Sequence, residues 1–527
     1  MNLLKARRSS MLDYLSEHAR LHPTREAAVE GEQRLSYREL ASQVDAVASR
    51  LTDRGIGVGH VVAYIGPPGI QYFISLLSAF QTKATWVGLN PKYRCDELAY
   101  VIGHARPCLI IVADTAEERT RGELALAISK TDSEADIIFA EESAGGLHAS
   151  LSRIGSTRLP PHERQIDIAD LEAAVLVYTS GSSGKPKGAC LTQSNLVENA
   201  WWLARRLGFE SGRFLINLPV NHAGCISDTT LVALLNGDTL VFMAAFEPVE
   251  AGHLVRDERI TTLGQVPTQY QMMHSAGVLG PDYLGTVKHL GWGGSAMPSS
   301  LIAFLSNFIP DLFNSYGLTE SSGTITITQK GANAEQLANT TGIPVFDGAV
   351  RVVGADGYSV RTGGAGEVQI CGRHVFAGYL RNEAANSVAF TGDGWLRTGD
   401  TGLISLDGSL RLIGRMTEMY KSGGYNIYPR EIESVLESHP GVAMAAVIGI
   451  EDPLWGEVGH AFVLSSSGDI DSASLNALCR ERLAAYKVPK VIEVRTDLPL
   501  LPIGKIDKKQ LATLIFKSKL ITDIGSA

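Results

Sequence analysis

The chain has 527 residues, 45% of them hydrophobic and 20% charged, with 47 basic residues against 56 acidic ones for a formal net charge of −9. That length exceeds one ordinary core and predicts two or more domains, while the charge balance excludes a nucleic-acid or polybasic membrane surface. Cys95, Cys108, Cys190, Cys225, Cys371 and Cys479 are scattered without close pairs, which argues against a disulfide framework or zinc site and predicts a reducing cytoplasm.

Met1 to Tyr14 carries Lys5, Arg7 and Arg8 but no apolar signal core. Val61 to Leu89 is broken by Pro67, Pro68, Gly69 and Lys83, so no bilayer span is expected. From Met11 to about Leu171, helices alternate with short apolar strands. Met11 to Leu21 reads as a helix, Arg34 to Tyr37 as a strand feeding a helix to Leu51, and Val61 to Ile65 as a buried strand. Ile70 to Phe80 is helical again and Cys108 to Ala113 is another buried strand, an alternation that predicts parallel sheets covered by helices. Asp132 to Arg164 is polar and irregular and is expected to be a surface connection.

The apolar run Ala173 to Tyr178 ends in Thr179-Ser180-Gly181-Ser182-Ser183-Gly184-Lys185-Pro186-Lys187-Gly188. Glycines let backbone N–H groups turn toward a polyphosphate, the hydroxyls add donors and Lys185 and Lys187 add positive charge. The loop is not a P-loop of nucleoside triphosphatases, because Thr179 and Pro186 stand where that motif needs Gly and Ser or Thr. Thr192 to Leu207 has helical periodicity. Leu218-Pro219-Val220-Asn221-His222-Ala223-Gly224 follows, where a histidine beside small residues can hydrogen-bond a carboxylate.

Thr262 to Tyr270 and Leu290 to Pro298 each read as a strand ending in a turn, with a helix expected from Ser299 to Phe308. The pair Gly293-Gly294 would admit a flat ligand close to the backbone. In Asn314-Ser315-Tyr316-Gly317-Leu318-Thr319-Glu320, Gly317 allows close approach to a ligand. Tyr316 offers a ring for adenine, Thr319 a hydroxyl for phosphate and Glu320 an oxygen ligand for Mg²⁺. Thr324 to Leu412 shows short strands with Gly-rich turns and contains Arg397-Thr398-Gly399-Asp400, read as a turn whose Asp400 accepts ribose hydroxyls. Pro429 opens a helix with Glu431 and Glu433 in its first turn. Strands at Val442 to Ile450 and Ala461 to Leu464 and a helix at Ser472 to Ala485 complete the chain.

These ordered motifs resemble the AMP-forming adenylating enzymes, which comprise acyl- and aryl-CoA synthetases, amino-acid adenylation domains and beetle luciferases. The resemblance runs from about Met11 to Leu511 and is nearest a stand-alone acid-CoA ligase. It implies an α/β fold: a large N-terminal domain (1–414) of two helix-flanked β-sheet lobes plus a small β-barrel-like lobe, a hinge (415–417), and a small mobile α+β C-terminal domain (418–527). It implies that Thr179 to Lys187, Gly294, Ser295, Ala296, Ser315 to Thr319, Asp400, Arg415 and Lys505 bind ATP or AMP. Lys505, in Pro502-Ile503-Gly504-Lys505, is the expected catalytic lysine, with Glu320, His222 and Thr179. Asn221, His222, Ala223, Gly224, Trp292 and Gly293 are implied to line the acyl pocket, with Asn221 making its entrance more polar than usual. Thr417, where the family has Asp or Lys, is the implied pivot, and Lys421, Ser422, Gly423, Gly424 and Tyr425 line a thiol tunnel.

From Arg480 onward there are ten Lys or Arg and five Asp or Glu, and Lys487 and Lys490 are candidates for coenzyme A phosphates as well as for a solvated face. The implied substrates and cofactors are ATP, Mg²⁺, coenzyme A and a small carboxylic acid of aryl, alicyclic or medium- to long-chain type. No nucleic acid or transmembrane segment is expected, and the chain is expected to be a monomer or homodimer. The alternative is an adenylation enzyme that hands its acyl group to a carrier protein or separate partner. It is disfavoured because too few residues follow Lys505 for a carrier domain and no acidic residue is clearly placed for an α-amino group.

Overall fold

Polar punctuation starts the helices. Ser36 N–H donates to Glu39 Oε2 at 2.8 Å while Glu39 N–H donates to Ser36 Oγ at 3.3 Å, a reciprocal cap that launches helix Tyr37–Asp53. Thr192 and Asn195 do the same for helix Gln193–Leu207, at 2.8 and 3.1 Å. The computed structural model describes residues 7–140, 146–153, 165–179, 185–208, 211–346, 348–465, 470–501 and 505–515.

Among the described residues there are four sheets. The largest has six parallel neighbours, in the order Glu26–Glu30, Thr239–Phe242, Arg213–Ile216, Thr262–Gln265, His289–Gly293 and Asp311–Leu318. A seven-stranded sheet is parallel through Asp136–Ala140, Leu109–Ala113, Val61–Ile65, Thr85–Leu89 and Ala173–Thr179. Strands Val61–Ile65, Thr85–Leu89 and Leu109–Ala113 are buried at every position, because helices cover both faces and leave no reason to alternate. Parallel order gathers the carboxyl ends of the strands on one edge, which is where open α/β sheets hold ligands.

Two expectations are corrected here, for Asp132 to Arg164 and for Thr262 to Tyr270. Asp132 to Arg164 is more than a connection: Asp136–Ala140 pairs in parallel with Leu109–Ala113, and helix Gly146–Arg153 follows, while 154–164 lie outside the described residues. Its apolar run, Ile137 to Ala140, is short and set between polar stretches, and as an edge strand it leaves Ile137 and Phe139 exposed. Strand Lys187–Thr192 returns antiparallel beside Ala173–Thr179, with Thr179 opposite Lys187. In Thr262 to Tyr270 the strand stops at Gln265, and Pro267 opens helix Pro267–Ser275 instead of a turn.

Strands Val350–Val353, Gly366–Ile370, Leu396–Ile404 and Leu410–Arg415 form a separate antiparallel sheet. Beyond it, Tyr420–Ser422, Tyr425–Ile427, Val442–Asp452, Gly456–Ser465 and Val491–Arg495 make a small sheet packed by helices Pro429–Glu437 and Ser472–Arg482 around Ile427, Ile432, Leu436, Val463 and Leu475. Lys508 Nζ ties this unit together, 2.5 Å from Glu418 and 2.7 Å from Glu433. No helix among the described residues is long and apolar enough to cross a membrane.

His374 is 0% exposed, packs edge-on against Phe346 at 4.5 Å, and neither ring nitrogen has a hydrogen-bond partner among the described residues. Burial pushes its pKa down to about 4. Between pH 4 and 6.5 the unfolded chain therefore protonates this imidazole and the native one does not, so its effect on stability becomes unfavourable as pH falls through that window. Relative to the parent, His374→Phe should gain about 2 kcal/mol at pH 5 over its difference at pH 8. Parallel urea titrations at the two pH values check this, and a difference independent of pH would refute it.

Candidate active site

Four side chains remote in sequence converge beyond the carboxyl ends of the large sheet. Tyr316, near the end of strand Asp311–Leu318, donates its hydroxyl to Asp400 Oδ2 at 2.6 Å, and Arg415 Nε lies 3.1 Å from Asp400 Oδ1. Asp400 is not in a turn. It sits within strand Leu396–Ile404, directly opposite Arg415, with Gly399 at φ +70° just before it. Burial raises the pKa of Asp400, and Arg415 and Tyr316 oppose that rise by favouring its charge.

Lys505 completes this group. A Cβ placed on Gly294 would come 2.9 Å from Lys505 Cε and 3.4 Å from its Nζ, so the lysine lies along that backbone. Gly294 has φ +82°, a second reason for glycine there. Burial lowers the pKa of Lys505 and the charge of Arg415 lowers it further, against Asp400 and Glu418. His222 is pushed down to about 4 by burial and by Lys505, which makes it a neutral imidazole at physiological pH. Pro502, Ile503 and Gly504 lie outside the described residues.

Glu320 occupies a single 3₁₀ turn, Thr319–Ser321, and its Oε1 accepts from Tyr379 Oη at 2.7 Å. Lys187 Nζ stands 5.1 Å from the Tyr379 ring centroid, and Lys185 Nζ 5.8 Å from that of Tyr100. Tyr379 was invisible in the sequence: no motif marks it, and it arrives on strand Gly378–Tyr379, paired to Lys187–Thr192. Ser180, Gly181, Ser182, Ser183 and Gly184 lie outside the described residues. Among the described residues no group of three His, Cys, Asp or Glu could hold a metal alone. A lone carboxylate fits Mg²⁺ only in company with phosphates, the usual arrangement for that ion.

The acyl-pocket candidates divide. His222 and Gly224 keep accessible surface, whereas Asn221 and Ala223 are 8% and 4% exposed, and Asn221 Nδ2 turns to Tyr93 Oη at 3.3 Å. Trp292 does not line the pocket wall. It is 1% exposed and packs with Leu290 in the core under helix Pro267–Ser275, because alternate residues of strand His289–Gly293 face opposite ways. Gly293 takes the other face, where a Cβ would meet Ser315 Oγ at 3.0 Å, and Ser315 Oγ itself donates to the Trp292 carbonyl at 3.2 Å. Ser295 is exposed and Ala296 and Leu318 are half-buried beside this edge.

Gly317 also needs a corrected reason. A Cβ there would fall 2.0 Å from the Gly323 carbonyl oxygen, so the adjoining strand Gly323–Ile327, not a ligand, demands glycine. Gly317→Ala should cost roughly 1–3 kcal/mol by forcing the two strands apart. Thermal unfolding checks this, and an unchanged Tm would show that the hairpin gives way freely.

Thr417 lies between the strand ending at Arg415 and the one beginning at Tyr420, where Glu418 N–H donates to the Arg415 carbonyl at 3.1 Å. In the small unit, Lys421 N–H donates to Glu457 at 2.9 Å and Gly423 N–H to the Trp455 carbonyl at 2.8 Å. Ser422 is buried and Gly424 has φ +87°. Tyr425 stacks on Tyr486 at 4.3 Å, Lys490 Nζ lies 5.6 Å from the Trp455 ring, and Lys487 is held by both oxygens of Glu431 at 2.6 and 2.7 Å.

The profile of the AMP-binding enzymes matches residues 15–380, and that of the AMP-binding enzyme C-terminal domain matches residues 431–505. A feruloyl-CoA synthase of an Amycolatopsis species is 32% identical over 495 residues, 94% of this chain and 96% of the relative. A 2-succinylbenzoate–CoA ligase of Bacillus licheniformis is 31% identical over 503 residues, 95% of this chain and 99% of the relative. Among solved structures, the o-succinylbenzoate CoA synthetase MenE of Bacillus subtilis in complex with its acyl-adenylate intermediate superposes with a TM-score of 0.79 at 27% identity, over 94% of this chain and 97% of that one.

Proposed function

The chain belongs to the AMP-binding enzyme family as an AMP-forming acid-CoA ligase, and from that premise we propose that Lys505 drives adenylation of an aryl, alicyclic or medium- to long-chain carboxylic acid in the cleft beside Gly294. The observation that carries this reading is the position of Lys505, laid on Gly294 within reach of Asp400, Arg415 and His222.

A carboxylate needs a leaving group before a thiol can displace it. An acid oxygen forms a bond to the α-phosphorus of ATP, the bond to the β-phosphate oxygen breaks, and pyrophosphate departs. Negative charge spreads over phosphate oxygens, so positioning and fixed cations supply the catalysis. Lys505 bridges carboxylate and α-phosphate, while Thr179, Lys185 and Lys187, together with the loop between them, hold the departing phosphates. Tyr316 and Thr319 meet the base and phosphate, and Asp400 and Arg415 fix the ribose. Neutral His222 faces the acid without repelling the nearby ammonium. Glu320, steadied by Tyr379, would hold Mg²⁺ against the phosphates, where such an ion neutralises charge on the leaving group.

In the second step the thiol sulfur of coenzyme A bonds to the acyl carbon, AMP leaves with the electron pair and the thiol proton passes to solvent. Lys505 must then vacate the cleft. Residues 418–527 turn about Thr417 to bring Lys421, Ser422, Gly423, Gly424 and Tyr425 to the acyl-adenylate, with Lys490 on the coenzyme's path. Lys487 is a weaker candidate, since Glu431 already holds its charge. A reducing cytoplasm suits the six free thiols.

Pyrophosphate release from ATP with a panel of carboxylic acids, with and without coenzyme A, tests this reading. Acid-dependent exchange of labelled pyrophosphate into ATP without coenzyme A is expected, with net turnover on adding it. No exchange with any acid would sink the proposal, and turnover only with a carrier protein bearing a free phosphopantetheine thiol would favour the other acceptor.

A further inference from the structure

Helix Cys95–Ala105 presents Tyr100 and His104, four residues apart, on one face, where their rings stack at 5.9 Å and 13°. The pair reaches the end of strand Ala173–Thr179 and the residue before strand Lys187–Thr192. His104 Nδ1 lies 2.8 Å from the Tyr178 hydroxyl, and Tyr100 Oη donates to the Pro186 carbonyl, between Lys185 and Lys187, at 2.7 Å. The Tyr100 ring also lies under Lys185 Nζ, at 5.8 Å, while Lys185 itself is exposed. Arg381, two residues beyond Tyr379, braces the helix by donating to the His104 carbonyl at 2.6 Å.

Resting on the reading of Lys185 as a holder of the departing phosphates, we infer that Tyr100 is a positioning residue for that lysine, with His104 steadying the Tyr100 ring and the neighbouring strand end. Its hydroxyl fixes the backbone at Pro186 and its ring holds the ammonium one residue before, so a single side chain orients both. A carboxylate could fix an ammonium as firmly, but it would cancel the charge and compete with a phosphate. An aromatic ring attracts the cation through its quadrupole and leaves the positive charge free to face an anion. A lysine already held in place loses less rotamer freedom on gripping a phosphate, so the anchorage emerges as affinity for a polyphosphate. Burial, Arg381 and Arg106 hold His104 below its ordinary pKa against Asp167, which keeps the imidazole neutral beside the Tyr178 hydroxyl.

The test titrates the full chain calorimetrically with two nucleotides. One is the magnesium complex of α,β-methylene-ATP, whose α–β link cannot be cleaved, and the other is AMP, which lacks the phosphates that Lys185 would meet. Tyr100→Phe removes the hydroxyl and keeps the ring, and should weaken the ATP analogue about 3–10-fold. Tyr100→Leu removes both anchors and should weaken it roughly 10–50-fold. AMP affinity should stay unmoved in both variants, which a merely structural role does not predict. Equal weakening of the two nucleotides, or an unchanged affinity of Tyr100→Phe for the ATP analogue, overturns the inference. Should Tyr100→Leu fail to fold, the Tyr100→Phe comparison decides alone. Acid-dependent pyrophosphate exchange by the wild type beside either overturning result leaves the ligase reading intact, whereas absence of exchange with every acid removes both.

Discussion

Lys505→Ala is expected to slow acyl-adenylate formation by roughly 10²–10³-fold, the usual loss when one preorganised charge facing a developing anion is removed, while thioester formation from supplied acyl-AMP changes little. The asymmetry follows from position. Lys505 lies along Gly294, beside Asp400 and Arg415 and close enough to His222 to depress its pKa, which is where the proposed adenylation needs an ammonium. In the thioester step, as proposed, the same ammonium has left the cleft and takes no part in the displacement of AMP. Burst measurements of pyrophosphate release, set beside turnover of synthetic acyl-AMP with coenzyme A, separate the two half-reactions. Equal loss in both would mean that Lys505 holds the cleft together and does not drive its first step.

Asp400→Ala should raise the KM for ATP by roughly 10–100-fold, as expected for the loss of charge-assisted hydrogen bonds, with a smaller effect on kcat. Asp400 is 5% exposed and serves two neighbours at once, accepting from Tyr316 at 2.6 Å and pairing with Arg415 at 3.1 Å. Removing it frees the Tyr316 ring and the Arg415 guanidinium as well as deleting the proposed ribose acceptor. Asp400→Asn keeps an acceptor for Tyr316 but loses the charge that Arg415 answers, so its KM should fall between the two. ATP titrations at saturating acid decide this, and a KM unmoved in both variants would place the ribose elsewhere.

Local chemistry made much of this legible in advance. The unbroken apolar runs at Val61 and Leu109 and the short polar motifs around Tyr316, Asp400 and Lys505 act over a few residues, so a linear reading finds them. Harder features depend on partners far away in the chain. Trp292 looked like a pocket wall, but the parity of its strand turns it into the core. Gly317 looked ligand-driven until the Gly323 carbonyl appeared behind it. Asp136–Ala140 was hidden because its short apolar run lies between polar stretches.

The sequence by itself determined the class of chemistry: a family membership, a lysine near the carboxyl end, a tyrosine, a buried-strand loop of glycines and lysines, and parallel sheets to carry them. Tertiary structure decided which side chains meet. Tyr316 reaches Asp400 across 84 residues, Tyr379 reaches Glu320 across 59, and Tyr100 reaches Pro186 across 86. Propensity and motif act between chain neighbours, whereas these contacts arise only when strand order and register bring separate segments to one edge, and no stretch of sequence carries that information alone.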